Sequence, residues 1–204
     1  MHIYFMRHGH SEADIENKIE SLYNSPLTAK GLEQANKAAE YYRQQGIEFE
    51  EILSSPLSRA LETAEIIGKT QNIEPVIFDI LKEADRGILC GMNREEADEL
   101  FPRKPFKSFS DLYPNETGEN TYELRSRAYI AISEIMKRKS NSILVVSHGT
   151  ILNEILLSLL AMPSLINDKH GYMFTFDDCE YIHFMHKKDT EKLIMREKRI
   201  ARLD

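Results

Sequence analysis

Arg7, His8 and Gly9 follow directly on a short apolar run, and Ser147, His148 and Gly149 follow on a second. Arginine carries a planar, permanently charged fork that matches phosphate oxygens. A neutral imidazole attacks phosphorus without prior deprotonation and can carry a covalent intermediate. A second histidine, if cationic, stabilises charge on the transferring oxygens. Arg59 falls in the first turn of a helix that follows a third apolar run, where the helix N-terminus adds backbone donors and positive dipole. Glu83, in "LKEADRGILCG", is the carboxylate that comes nearest to supplying a proton to a leaving group. Taken singly, a histidine at a strand end is more often structural and a glutamate is usually a surface residue. Their ordered combination points to a pocket for a phosphoryl group.

Such residues converge only if the elements place them together. Ile3 to Met6 suits a buried strand, and in an open α/β sheet ligands bind outside the carboxyl ends of the strands. Between Leu27 and Gly46 the residues Leu32, Ala35, Ala39 and Tyr42 recur at helical spacing, and Gly46 marks the stop. Ile52 and Leu53 form a short strand, followed by Ser55 as N-cap, Pro56 at the first helical position, and an inner face of Ala60, Ala64 and Ile67. Val76 to Phe78 reads as a third strand. The stretch from about 80 to 117 lacks a long regular period and carries Pro102, Pro105 and Pro114 with Phe101, Phe106, Phe109 and Tyr113. It reads as a lid-like insertion over the crevice. Leu124, Ala128, Ile132 and Ile135 mark a helix within Glu119 to Lys139. "SILVVSHGTILNEILLSLLA" gives a continuous apolar strand and a helix apolar nearly all round, both fit for the centre of a covered sheet. The tail from Tyr172 to Arg199, with Glu180 to His186 its best strand, supplies edge strands. The expectation is a single domain over residues 1–204, an α/β fold with a three-layer α/β/α sandwich and a mostly parallel central sheet.

Composition narrows the partners. The chain has 204 residues, 42% of them hydrophobic, enough for one sizeable core. A formal net charge of −7 disfavours a broad polyanion-binding surface, so nucleic acid is not expected as a partner. Cys90 and Cys179 match no metal or redox spacing and read as reduced thiols. Neither a signal-like segment nor a long apolar span is visible, so the chain reads as cytoplasmic with no membrane partner.

The motifs resemble those of the histidine phosphatase superfamily, also called phosphoglycerate mutase-like. Arg7-His8-Gly9-His10-Ser11-Glu12 is similar to that family's RHG signature, and Pro26-Leu27-Thr28 with Gly31, Gln34 and Ala35 to its second block. Ser54-Ser55-Pro56-Leu57-Ser58-Arg59-Ala60 with Thr63 and Ala64 resembles the third. Glu83 with Gly87 and Gly91, then Gly118-Glu119 at the opening of a helix, then Ser147-His148-Gly149 complete the series. The resemblance implies His8 as the phosphorylated nucleophile, Glu83 as the proton donor, and Arg7, Arg59 and His148 as the phosphate pocket. Gly9 and Gly149 flank the two histidines at the substrate site. Neither metal nor organic cofactor is implied, and a homodimer is left open.

Two positions depart from the pattern. Asp14 stands where the family commonly has Asn, and Glu20 where a neutral polar or Thr side chain is frequent near the substrate. A carboxylate aimed at a phosphate dianion repels it unless protonated or paired. An Asp14 so aimed makes activity favour acid, and an ammonium on the substrate would satisfy either carboxylate. Mutases of this family resemble one another in a longer chain with an Arg-Arg loop, whereas Arg103-Lys104 is the nearest counterpart here. Hydrolysis of a small phosphorylated metabolite is therefore expected first. A cofactor-dependent phosphoglycerate mutase is the alternative, and a phospho-ligand-binding regulatory module with little turnover the second alternative.

Overall fold

Alternation along the first strand decides which layer each of its side chains joins. In the computed structural model, which describes residues 1–102, 117–164 and 173–201, this strand is β1 (His2–Arg7). After it come α1 (Glu12–Ile15), α2 (Ala29–Gln44), β2 (Glu51–Ser54), α3 (Ser58–Gln71) and β3 (Val76–Ile77). The chain continues with α4 (Arg94–Leu100), α5 (Thr121–Met136), β4 (Ser142–Ser147), α6 (Gly149–Leu159), β5 (Glu180–Lys187) and β6 (Lys192–Ile200). Ile3 and Phe5 of β1 pack with Leu53, Ile143 and Val145 beneath α5 and α6. Tyr4 and Met6 point the other way and pack with Ile52, Leu144 and Val146 beneath α2 and α3. The result is a three-layer α/β/α sandwich with two apolar cores, one on each face of the sheet.

The sheet runs β3-β2-β4-β1-β5-β6. Its first four strands are parallel, and β5 runs antiparallel to both β1 and β6. In the β1–β4 register Arg7 pairs with Ser147, so His8 and His148 leave the sheet side by side. The His8 N–H donates to the Ser147 carbonyl at 3.0 Å, one rung past the strand.

Several expectations need correction. Helix α3 begins at Ser58 with Leu57 as its N-cap residue, not at Pro56 after Ser55. The Ser55 hydroxyl does accept from Leu57 N–H at 3.3 Å, but it also meets His148, so the serine serves the crevice as well as the turn. On α2 the inward face is Gly31, Ala35, Ala38, Ala39, Tyr41 and Tyr42, and Leu32 points to solvent. Small residues line the N-terminal part of that face, and Tyr41 and Tyr42 fill its C-terminal end. β5 is an interior strand, and only β6 lies at that edge, because the antiparallel pair continues the sheet beyond β1. The interval after β3 holds two single-turn 3₁₀ segments, Asp79–Leu81 and Gly87–Leu89, and the short α4. Pro105, Phe106, Phe109, Tyr113 and Pro114, with Arg103 and Lys104, lie outside the described residues.

Candidate active site

His8 is fully buried, and its two ring nitrogens have different partners. Nδ1 lies 2.7 Å from the Gly9 carbonyl, which can only accept, so Nδ1 carries the proton. Nε2 then bears a lone pair, and Arg59 Nε donates to it at 3.2 Å. Burial, followed by the charges of Arg59 and Arg7, holds the His8 pKa well below the ordinary histidine value. The ring is therefore neutral near pH 7 with Nε2 available as a nucleophile.

Arg59, also fully buried, reaches His8 from the first turn of α3. Nη1 and Nη2 donate to the carbonyls of Tyr23 (2.8 Å) and Ser21 (3.0 Å), which fixes the plane of the guanidinium. Ser21 adopts a left-handed conformation, φ 44°, and its hydroxyl donates to the Ala84 carbonyl while accepting from Arg86 N–H. The loop before α2 is thus pinned to both Arg59 and the Glu83 segment.

His148 lies with its ring 5.0 Å from that of His8. Its Nε2 is 2.8 Å from Ser55 Oγ, and Nδ1 is buried with no partner among the described residues. Burial, Arg59, His8 and Arg7 lower its pKa well below the usual value. The sequence allowed a cationic second histidine, and the structure makes it neutral.

Glu83 sits beneath the start of α6. Oε1 accepts from Ala84 N–H (2.8 Å) and Ile151 N–H (3.1 Å), and Oε2 from Thr150 N–H (3.1 Å). Its own backbone is held by Arg127, which donates to the carbonyls of Ile80 (2.9 Å), Lys82 (2.6 Å) and Glu83 (3.3 Å). Glu119 fixes the other edge of that guanidinium with two bonds of 2.7 and 2.6 Å. Glu119 lies just before α5, whose N-cap is Asn120. Gly118, at φ 83°, permits the approach: a β-carbon there would lie 2.5 Å from the Asp85 carbonyl oxygen.

The remaining expected residues separate. Arg7 turns toward the Phe176 carbonyl (3.1 Å) and Asp178 (3.3 Å), so its charge acts on the histidines through space. Asp14 turns into the first turn of α1, where Oδ2 accepts from Ser11 N–H at 2.8 Å. Burial pushes its pKa up, but that hydrogen bond, Arg7 and the two nearby histidines outweigh it, and the carboxyl lies below its ordinary value. Glu20, by contrast, enters the crevice: Oε1 is 3.1 Å from Arg59 Nε and Oε2 is 3.8 Å from His8 Nε2. Gly9 N–H donates to Thr63 Oγ1, and a β-carbon on Gly9 would lie 2.9 Å from the Gly31 carbonyl. Gly31 is tighter still, 2.0 Å from His10 O, which explains why the second sequence block carries a glycine there. A β-carbon on Gly149 would meet nothing within 4 Å. Ser11, Ser21, Tyr23, Ser55, Thr63 and Arg127 were not singled out as site residues by sequence reasoning. Ser11, Ser55 and Thr63 stood inside the motif blocks, whereas a tyrosine carbonyl and a helix arginine carry no sequence signal.

Residues 3–194 match the family model described as histidine phosphatase superfamily, branch 1. The chain belongs to this superfamily. As a histidine phosphatase superfamily member it is 33% identical over 169 residues to a protein of Proteus mirabilis named probable phosphoglycerate mutase GpmB, covering 80% of this chain and 77% of that one. Among solved structures it resembles a putative α-ribazole-5′-P phosphatase from Escherichia coli, with TM-score 0.82, 21% identity, and coverage of 100% of this chain and 99% of the other. It also resembles a phosphoserine phosphatase mutant of Entamoeba histolytica in complex with phosphoserine, at TM-score 0.75, 22% identity and 98% and 97% coverage. These two structures share the fold. Among the described residues, no cluster of three or more His, Cys, Asp or Glu is arranged to hold a metal ion, and no helix is long and apolar enough to cross a membrane.

Proposed function

We propose that this protein hydrolyses small phosphomonoesters through a phosphohistidine on His8. The observation that carries the reading is the tautomer of His8, with Nδ1–H held by the Gly9 carbonyl and the Nε2 lone pair facing Arg59. Nε2 attacks phosphorus, the P–N bond forms and the P–O bond to the leaving group breaks. Glu83 gives its proton to the departing oxygen, then accepts one from the water that attacks phosphohistidine, and orthophosphate leaves. Arg59 draws off charge from the phosphoryl oxygens in a water-poor pocket. His148 Nδ1, buried and without a partner among the described residues, is placed to serve one more oxygen. A cavity of about 400 Å³ lies on the Glu83 side of the site, lined also by Leu22, Asp85, Glu119 and Arg127, with neither histidine in its wall.

The test is labelling. Protein quenched during turnover of ³²P-labelled phosphomonoester should carry acid-labile label on wild type and none on His8→Ala. Equal labelling of the two would remove His8 from the role.

A second reading is favoured by the relatives named probable phosphoglycerate mutase. It differs in the fate of the phosphoryl group, which a mutase returns to a glycerate and a phosphatase gives to water. Incubation with 3-phosphoglycerate and a catalytic amount of 2,3-bisphosphoglycerate separates them: orthophosphate release supports hydrolysis, and 2-phosphoglycerate without orthophosphate supports the mutase.

A further inference from the structure

Glu20 stands where its carboxylate meets both groups that a phosphoryl donor needs. Oε1 lies 3.1 Å from Arg59 Nε, and Oε2 lies 3.8 Å from His8 Nε2. A phosphorus atom poised for attack by Nε2 has to sit at about 3–3.5 Å from that nitrogen. The carboxylate and a phosphoryl group therefore claim the same space beside the Arg59 guanidinium. They also repel each other, since both are anions within a few ångströms of one another.

Ser11 shows how the carboxylate can leave without stranding a buried donor. Its hydroxyl has one proton and two anionic acceptors within reach, Glu20 Oε1 at 2.7 Å and Asp14 Oδ2 at 3.2 Å. While Glu20 is on Arg59, the shorter bond goes to Glu20. When Glu20 withdraws, the hydroxyl turns to Asp14, which stays in place because the Ser11 N–H holds the same oxygen at 2.8 Å. Arg59 keeps its plane throughout, since the Tyr23 and Ser21 carbonyls hold its two terminal nitrogens. Only Nε changes partner: it donates to His8 Nε2 beside the Glu20 carboxylate in this structure, and on turning to a phosphate oxygen it frees the Nε2 lone pair.

We propose that Glu20 is an internal competitor of phosphate: it yields Arg59 to the incoming phosphomonoester and reclaims it when orthophosphate has formed, hastening release. This rests on the reading of His8 and Arg59 as the phosphoryl site. Because the competition weakens ester and orthophosphate alike, it raises KM and the product inhibition constant together. Its benefit lies in a release step that otherwise limits turnover.

Calorimetric titration of orthophosphate into wild type, Glu20→Gln and Glu20→Ala tests this directly. Glu20→Ala removes both charge and bulk and should lower the Kd for orthophosphate by roughly tenfold or more, as expected when a partly buried anionic competitor is deleted. Glu20→Gln keeps the shape, loses the charge and should give a smaller decrease in the same direction. KM for p-nitrophenyl phosphate should fall with the Kd while kcat does not rise, a split that a merely structural defect would not produce. A Kd that is unchanged or weaker in both variants, or no orthophosphate binding by any of the three proteins, overturns the proposal. Glu20→Gln, being isosteric, keeps the comparison valid if the alanine variant melts early. Hydrolysis is scored separately: wild type that binds orthophosphate in competition with Glu20 yet releases none from any ester sinks the hydrolase reading and leaves the competition standing.

Discussion

Asp14 holds the Ser11 amide and lies within 3.2 Å of its hydroxyl through a single oxygen, which makes it a helix cap before it is anything else. Its carboxyl lies below the ordinary value and is ionised across the neutral range, so protonation of Asp14 does not open the site. Acid-favoured activity is expected only of an Asp14 aimed at the phosphate, and here the carboxylate turns to the Ser11 amide instead. Asp14→Asn retains an acceptor for the Ser11 amide and should change kcat/KM by less than about threefold between pH 5 and 8. Asp14→Ala deletes the cap and should cost about 1 kcal/mol of stability. Matched pH–rate profiles and urea melts check both. An asparagine variant that is much faster above pH 7 would show that the carboxylate does face the phosphate. The neighbouring departure, Glu20, is the one the structure turns into the crevice, and nothing in the sequence distinguished the two. Both follow the nucleophile in one short segment. Only the loop path, set by Ser21 at φ 44° and by the carbonyls it aims at Arg59, decides which carboxylate points where.

At the level of elements, α5 carries Arg127, whose guanidinium gathers three consecutive-region carbonyls, Ile80, Lys82 and Glu83, while Glu119 closes its other edge. The segment bearing Glu83 has almost no regular structure of its own, so this arginine does the work that a strand does for His8. Arg127 is a positioning residue. Arg127→Gln should leave the fold intact but loosen Glu83, and the loss should grow with the leaving group's need for a proton, a role that contributes about 10²- to 10⁴-fold when complete. Rates for an alkyl phosphate should fall at least about tenfold more than rates for p-nitrophenyl phosphate. An equal fall for both substrates would mean that Arg127 supports the fold and not the acid. Elements with a strong apolar pattern were legible beforehand: β1, β4 and α6 lie where their patterns put them, α3 does so apart from its start, and the strand ends deliver His8 and His148 to one crevice. What the sequence concealed was long-range hydrogen bonding to backbone carbonyls, which has no composition and no spacing. The misplaced start of α3 has the same origin. Ser55 and Pro56 make a good local cap, but the chain turns once more because Ser55 is wanted by His148 across the crevice.

Across the whole molecule, burial of several histidines links stability to pH. His8 and His148 lie well below the ordinary value, chiefly through burial and then Arg59. His183, stacked on Tyr4 with ring centroids 4.1 Å apart, is lowered to about 4, mainly by burial and then by His2. His2, 2.9 Å from His183 between ring nitrogens, is lowered by burial and by the N-terminal amine. The unfolded chain protonates its histidines near pH 6.5. Between that pH and the folded values the unfolded state binds more protons, so stability is full above about pH 7 and is lost as pH falls. Asp14, also lowered, acts in the same direction but only below the carboxylate range. Glu154 opposes them: burial raises its carboxyl despite Ser164 and Arg125, which pull it down, so its contribution is present at low pH and lost as pH rises. One carboxyl against four histidines leaves the histidines dominant. Each extra proton on the unfolded chain costs ~1.4 kcal/mol per pH unit, so the slope below pH 6 should reach at least about 2 kcal/mol per unit. Urea unfolding at pH 7.5, 6.5, 5.5 and 5.0 measures it. His183→Phe keeps an aromatic ring against Tyr4 while deleting one of these titrations, and should make the profile shallower by close to one proton. A midpoint that stays constant from pH 7.5 to 5.0 would mean that the crevice histidines take up protons while folded, and with that the neutral Nε2 on which the phosphoryl chemistry depends would be lost.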